Sequence, residues 1–548
     1  MKRVGVVHLH GPDSHLAPPR GYRPVHQTES RPPLVSFIIR RFLASLAVLL
    51  IASYLVYILS ANSADPLSDL RSSTLPTAQK EQLMAQRIAL LHLDVPPYLR
   101  YFLWLGGVLG AFIGKFTLGD NIDGQHVTDA LGAAMGSTLQ LVTTSFLVGL
   151  IVGVTIGIAT ALRIYSSFDY VTTFIAFLFF SLPVFWVAVM LKQFAAINFN
   201  DFLADPVVAP LWVGVIALIS GVVWMGIIGG SWKRRLLVFG VAAAAAVAVF
   251  TYTNLSGWFN NPSLGPVFTP ALSIGAAVII TVLSTGWANK RARWTALSVA
   301  LGISLVLYFP LHALFDQFSI ISVGTIIALV IVLIVLGGVA GYFWGGHDRR
   351  PQIRTGALTA LVVSLIVLLD RFMGSWNIYA TQVANGRPIS TVGGGTPDLQ
   401  GSFWITGIDG FTHLLLPTTA LVLISVASYS RYARSSLLDV LNQDYIRTAR
   451  AKGLTERTVV MRHAFRNALI PITTIIALDL GGLIGGAVIT ETVFAWSGMG
   501  ALFVQALHRV DINPLMGFFL VTAITIIVFN FLADVVYSAL DPRIRVTA

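Results

Sequence analysis

Twelve long apolar runs, separated by short polar stretches, organise this chain. The first three are Phe42–Ala61, Leu139–Leu162 and Val171–Ala195. Six closely spaced runs follow: Val207–Ile228, Leu236–Tyr252, Ala271–Trp287, Trp294–Leu314, Ile320–Phe343 and Thr355–Leu369. The last three are Leu414–Tyr429, Leu469–Ile489 and Leu515–Val536. Most are rich in Leu, Val, Ile and Ala without amphipathic periodicity, the pattern of helices surrounded by lipid or by other helices. About 20 apolar residues cross the hydrocarbon layer as a helix. Membrane barrels show short alternating strands instead, and these runs are too long and too evenly apolar for that. The pattern predicts an all-α polytopic membrane protein with about twelve transmembrane helices.

Composition agrees. The 548 residues are 55% hydrophobic and 11% charged, against roughly 25% charged in soluble domains. An ordinary cytosolic enzyme, a disordered chain and a fibrous repeat are excluded. The absence of cysteine excludes disulfides, thiolate catalysis and cysteine-held metal. A net charge of +11 would suit nucleic acid, but in a membrane protein Lys and Arg collect in cytoplasmic loops. With the N-terminus placed in the cytoplasm, 27 of the 36 Lys and Arg fall on that side. Each inner loop of the middle six runs then carries three: Lys233/Arg234/Arg235, Lys290/Arg291/Arg293 and Arg349/Arg350/Arg354. This predicts both termini in the cytoplasm, with membrane lipid and not nucleic acid as the surrounding partner.

The proline-rich tail 1–33 has the composition of a disordered segment. Ala61-Asn62-Ser63-Ala64 loosely resembles a signal cleavage site. The preceding run is longer than a signal core and follows about forty residues, so a retained anchor is favoured. Outside, the 62–137 segment turns amphipathic through Tyr98–Phe116, with Tyr101, Phe102, Trp104 and Phe112 reading as an interfacial helix. The segment Asn377–Gly410, rich in Gly, Thr and Ser, reads as an outer loop.

The dense polar stretch is Ser430–Pro471. Asp439–Lys452 has a helical pattern, with Leu438, Leu441, Tyr445, Ile446 and Ala449 near one face. Gly453 stands where a helix terminates, and Thr455 is placed to cap a second short helix carrying Val459, Val460 and Phe465. The result is a helix–turn–helix elbow with small Ala449 and Ala451 before the turn and a basic surface around it. An ordinary positive-inside loop rarely holds two capped helices. A DNA-reading helix-turn-helix is disfavoured by tethering at the bilayer. A protein-docking elbow remains, in which small residues permit close approach and a rigid turn transmits force to the flanking spans.

Asp444-Tyr445-Ile446-Arg447-Thr448-Ala449-Arg450-Ala451-Lys452-Gly453-Leu454, followed by Arg466-Asn467-Ala468-Leu469-Ile470-Pro471, resembles the coupling motif of ABC importer permeases of the dipeptide/oligopeptide branch. The resemblance extends to Glu491-Thr492-Val493-Phe494, to Phe37-Ile38-Ile39-Arg40-Arg41 and to the ending Leu540-Asp541-Pro542-Arg543-Ile544-Arg545. It implies a type I permease core of three plus three spans in a bacterial inner membrane, and a division of labour. A second homologous permease shares the translocation path. Two cytoplasmic ATPases, carrying ATP and magnesium, seat on the elbows at Asp444, Tyr445 and Arg447 to Leu454. An extracytoplasmic binding protein or lipoprotein delivers the substrate. No G-x-x-x-x-G-K-[ST] loop is present here, so this chain is a transport subunit and not the ATPase. Ser497-Gly498-Met499-Gly500 stands where the family commonly has Pro-Gly-x-Gly. The middle runs interrupt the family's outer loop between its third and fourth spans. Six inserted spans return the chain to the same side. The expected organisation is a tail, 1–33; a first core part, 34–205; a six-span insert, 206–373; and a second core part, 374–548.

Asp479 lies inside the eleventh run. A midspan carboxylate costs about 2.5–3.5 kcal/mol on insertion scales and is a functional candidate by default; it either lines the substrate path or locks a helix contact. Gln140 carries the same alternatives, with the structural one preferred. Glu491 either marks an outer gate or caps a helix. Asp370 and Arg371 stand at the outer end of an inserted span as an interfacial pair. The histidines form no HExxH or other close set with metal-ligand spacing, and no nucleophile–base pair stands out, so no catalytic, cofactor or metal residue is assigned. The rival function is a proton-coupled secondary transporter, for which twelve spans are common but two related halves are usual. Nickel-complex or oligosaccharide cargo on the same machinery is a further alternative.

Overall fold

The computed structural model describes residues 34–317, 321–346 and 349–540. The proline-rich tail and the Asp541–Arg545 ending lie outside the described residues. Among those described, the fold is helical throughout, with one isolated bridge between Asp120 and His126.

The chain opens with α1 (Leu34–Ser63), short α2 (Ser68–Ser72), α3 (Thr77–Leu91) and α4 (Pro97–Leu109). The interfacial reading of the α4 region is only half right. Phe102 and Phe112 are exposed, whereas Tyr101 and Trp104 are buried against Tyr57 of α1, with ring centroids 5.6 and 6.4 Å away. Next come α5 (Val127–Ala161), α6 (Ser167–Ser181), α7 (Val184–Met190) and α8 (Asn198–Ala204). The predicted continuous third span is broken: the chain bends by 105° between Ser181 and Val184. Pro183 sits at the break, where its ring fixes φ and removes an N–H from the ladder.

Six apolar helical segments follow as α9 (Pro210–Ile228), α10 (Trp232–Ser256), α11 (Gly265–Ser284), α12 (Lys290–Leu301) continued by α13 (Tyr308–Gln317), α14 (Val323–Trp344) and α15 (Arg350–Gly374). Short α16 (Trp376–Ile378) leads through a loop to α17 (Phe403–Leu441). The elbow holds α18 (Asp444–Ala451) and α19 (Glu456–Thr458), and α20 (Phe465–Val493), α21 (Met499–Arg509) and α22 (Ile512–Leu540) complete the chain. Among the described residues nine helices can cross a membrane by length and composition, eleven with the bent pairs. The 29-residue α20 fills the remaining run.

Small residues set the packing. On α5, Gly149, Gly153 and Gly157 face α17 so closely that an added Cβ would strike Ser425, Tyr429 and the Ser430 carbonyl. This is the spacing that lets membrane helices touch backbone to backbone. In the middle stretch, α9 and α10 form one hairpin, while α11 to α15 form a bundle. Its core holds Ala277, Ala296, Ala300 and Ala360, and Trp404 of α17 reaches into it. Asp370 does not pair with Arg371. It is 4% exposed, accepts hydrogen bonds from Tyr308 at 2.6 Å and from the Leu264 and Gly265 amides at 2.7 and 3.0 Å, and so caps α11. Arg371 turns instead to Asp316 at 2.7 Å.

Candidate functional site

At 39 residues, α17 is about 58 Å long, against a hydrocarbon layer of about 30 Å. It therefore runs well beyond the predicted Leu414–Tyr429 span and carries the elbow clear of the apolar zone. The predicted Asp439–Lys452 helix is split, because α17 stops at Leu441 and α18 restarts at Asp444. Gly453 follows with φ +76°, the left-handed conformation that glycine adopts without penalty, and its N–H closes on the Arg450 carbonyl at 2.9 Å. The Thr455 side chain accepts from the Thr458 amide and caps α19.

The elbow has an apolar underside and a polar top. Ile446, Ala449, Val459 and Ala464 pack with Leu437 of α17 and Ala161 of α5, and the Ser436 hydroxyl donates to the Ala468 carbonyl at 2.7 Å. Ala449 thus belongs to the seat on the spans and is not a surface residue that permits close approach. Asp444, Tyr445, Arg447, Thr448, Arg450, Ala451, Lys452, Gly453 and Leu454 are all exposed. The top is ordered by its own contacts. Arg450 grips Glu456 with two hydrogen bonds of 3.1 and 2.7 Å, which hold the Glu456 carboxyl below its ordinary range. Asn467 donates to the Tyr445 hydroxyl at 2.9 Å. Just behind the elbow, Asp169 of α6, 2% exposed, pairs with Arg434 of α17 at 2.9 Å.

The three membrane candidates do not form one cluster. Asp479 of α20 faces the buried Tyr429 of α17. Gln140 is exposed on the outer face of α5. Glu491, twelve residues and so about 18 Å along α20 from Asp479, is fully buried. It accepts from the Thr138 hydroxyl at 2.7 Å and from the Gly500 and Ala501 amides at 2.7 and 3.2 Å. A carboxylate there satisfies the free amides at the start of α21 and complements its dipole. Ser497-Gly498-Met499-Gly500 suits this arrangement, because a Cβ at Gly498 or Gly500 would collide with Glu491 or Val488. Lys192 donates to the Val493 carbonyl at 3.2 Å, and Asp409, 5% exposed, holds the loop before α17 by accepting from the Thr396 amide and hydroxyl at 2.9 and 2.6 Å. Sequence reasoning missed both; a carboxylate just ahead of an apolar run was the available signal for Asp409.

Asp511, at the corner between α21 and α22, is 4% exposed and accepts the Ile122 amide at 2.8 Å. Burial pushes its carboxyl up to about 6, and Asp123 adds to the rise. A carboxyl raised in the folded state stabilises fully below its unfolded value and loses that contribution as pH climbs through 6. Two pH units at about 1.4 kcal/mol each set a ceiling near 3 kcal/mol. The melting temperature is expected to fall as pH rises from 4 to 7, and Asp511→Asn to remove the part of that fall due to this carboxyl.

The elbow thus has a buried seat and an exposed top, and it stands on a bundle of long apolar helices. The chain matches the family described as binding-protein-dependent transport system inner membrane component over residues 153–546, and it belongs to that family. It is 35% identical over 237 residues to the oligopeptide transport system permease protein OppB of Mycobacterium tuberculosis, covering 41% of this chain and 71% of that protein. It is 44% identical over 152 residues to the oligopeptide transport system permease protein AppB of Bacillus subtilis, covering 28% and 48%. With the dipeptide transport system permease protein DppB of Escherichia coli, identity is 47% over 138 residues, covering 25% and 41%.

Proposed function

We propose that this chain is a permease subunit of a bacterial ABC importer for short peptides, with its termini and elbow in the cytoplasm. The observation that carries the reading is the elbow: an exposed polar top on an apolar seat shared by three spans. A push on α18 reaches α17 through Leu437 and α5 through Ala161, and reaches α20 through the Ser436–Ala468 bond. At the opposite end, Glu491 ties α20 to α5 and α21. These spans therefore move as linked levers. Closure of two ATPases around ATP and magnesium would tilt them and expose the path to alternate sides. A second permease supplies the other wall, and an extracytoplasmic binding protein loads it. The names of the relatives support peptide as cargo.

The test is reconstitution in liposomes with the partner permease, ATPases and binding protein. Dipeptide-stimulated ATP hydrolysis that needs this chain is the expected result. Uptake driven by a proton gradient without ATPases would contradict it.

A further inference from the structure

On the end of the bundle opposite the elbow, α4 carries Arg100 at only 7% exposure. Its Nε has no hydrogen-bond partner. It forms no ion pair among the described residues, whereas neighbouring cations do: Arg87 takes Asp69 and Arg509 takes Asp123, both at 2.6 Å. The group that Arg100 does bond is the phenol of Tyr57, which brings no counter-charge. A buried charge without a counter-charge is costly.

One helical turn on, Trp104 is 7% exposed and its indole N–H is also without a partner. Residues four apart share a helix face, and both line one cavity of 200 Å³. The opposite wall is the backbone at Gly119 with Asp120 and Asn513. Asn513 donates to the Asp120 carbonyl at 2.7 Å, and the Asp120 carboxylate is engaged by His126 at 2.6 Å. The cavity's acid is therefore already engaged, while its guanidinium has no acid partner among the described residues and the indole N–H has no acceptor.

We propose that this cavity binds a single carboxylate group. A guanidinium takes a carboxylate side-on through two N–H donors, and the indole can donate a third bond. Asp120 in the same wall disfavours a dianion by repulsion. Water occupies about 30 Å³ in the liquid, so the cavity holds a carboxylate with a short chain behind it. Two sources present that group: the terminus of a free short peptide, or an acidic side chain of a delivering protein. The site itself stands apart from the transport reading; only its outward orientation and the choice of source rest on it.

The test uses the full-length chain alone in micelles, with no ATPase present, so its failure is separate from a failure of transport. Trifluoroacetate is titrated at constant chloride and followed by fluorine NMR line width. Saturable broadening in the wild type, abolished in Arg100→Met and weakened severalfold in Trp104→Phe, is expected. Absence of saturable broadening, or broadening undiminished in Arg100→Met, would overturn the proposal. If Arg100→Met does not fold, Trp104→Phe decides: unchanged affinity overturns it. Where binding is present, displacement by glycylglycine far below the concentration needed for propionate assigns the peptide terminus. Equal displacement by the two assigns a side-chain carboxylate. Either result supports the site.

Discussion

Replacing Gly453 with aspartate is expected to abolish coupling while leaving the chain folded. Gly453 has φ +76°, and aspartate is among the few residues that enter this region as single positions. The strain is on the order of 1–2 kcal/mol, small beside the packing of the bundle. A Cβ at this position meets nothing within 4 Å, so the new side chain disturbs no neighbour in this chain. What it changes is the outside surface, where a carboxylate would project beside Arg447, Arg450 and Lys452. Substrate-stimulated ATP hydrolysis in the reconstituted importer is expected to drop by more than tenfold, with unchanged yield of the permease itself. Normal transport, with ATPases co-purifying at wild-type yield, would show that the turn is no socket.

The second large effect is expected at the other end of the levers. Glu491→Ala removes the acceptor for the Thr138 hydroxyl and for the Gly500 and Ala501 amides together. Each buried donor left without an acceptor costs about 1–3 kcal/mol. Allowing for their overlap at one carboxylate, a loss of roughly 3–5 kcal/mol is expected, at the severe end for a single substitution. Because α21 loses its cap, tryptic cleavage at Arg509 is expected to accelerate along with a lowered melting temperature. Glu491→Gln keeps one acceptor oxygen and is expected to fall between the two. Wild-type melting and cleavage in Glu491→Ala would mean that α21 is held by its apolar contacts alone.

Which parts of this architecture could be read from the sequence follows from what a membrane demands. A span needs a long apolar run, so all twelve runs acquired helices, and the Gly453 turn declared itself through a residue that alone adopts its conformation freely. The bends were less visible. Val171–Ala195 looks continuous because Leu182 and Pro183 interrupt geometry without interrupting hydropathy. The extension of α17 to Phe403 and Leu441 was hidden because its ends leave the apolar zone and turn polar. Helix propensity did not mark the break at Asn442 and Gln443. Lipid-facing and buried positions are equally apolar, so the glycines at 149, 153 and 157 gave no sign that they face α17. At the candidate site, the exposed top of the elbow was legible as a motif and the helical pattern grouped Ala449 with buried Ile446, but the exposure of Tyr445 on that face was not legible. The capping contacts of Glu491 were hidden because one partner, Thr138, lies more than three hundred positions away in the chain.

The elbow is expected to be gripped by an ATPase, and the chain's lack of cysteine allows a direct measurement. Single cysteines at Thr448 and Ala451, on the exposed top, are paired with a short thiol-to-amine crosslinker in the assembled importer. Ala449→Cys, on the buried seat, and Leu147→Cys, on the exposed apolar face of α5, serve as controls. Crosslinks to the ATPase from positions 448 and 451, with none from 449 or 147, are the predicted result. An assembled, active importer in which neither 448 nor 451 reaches the ATPase would contradict the account.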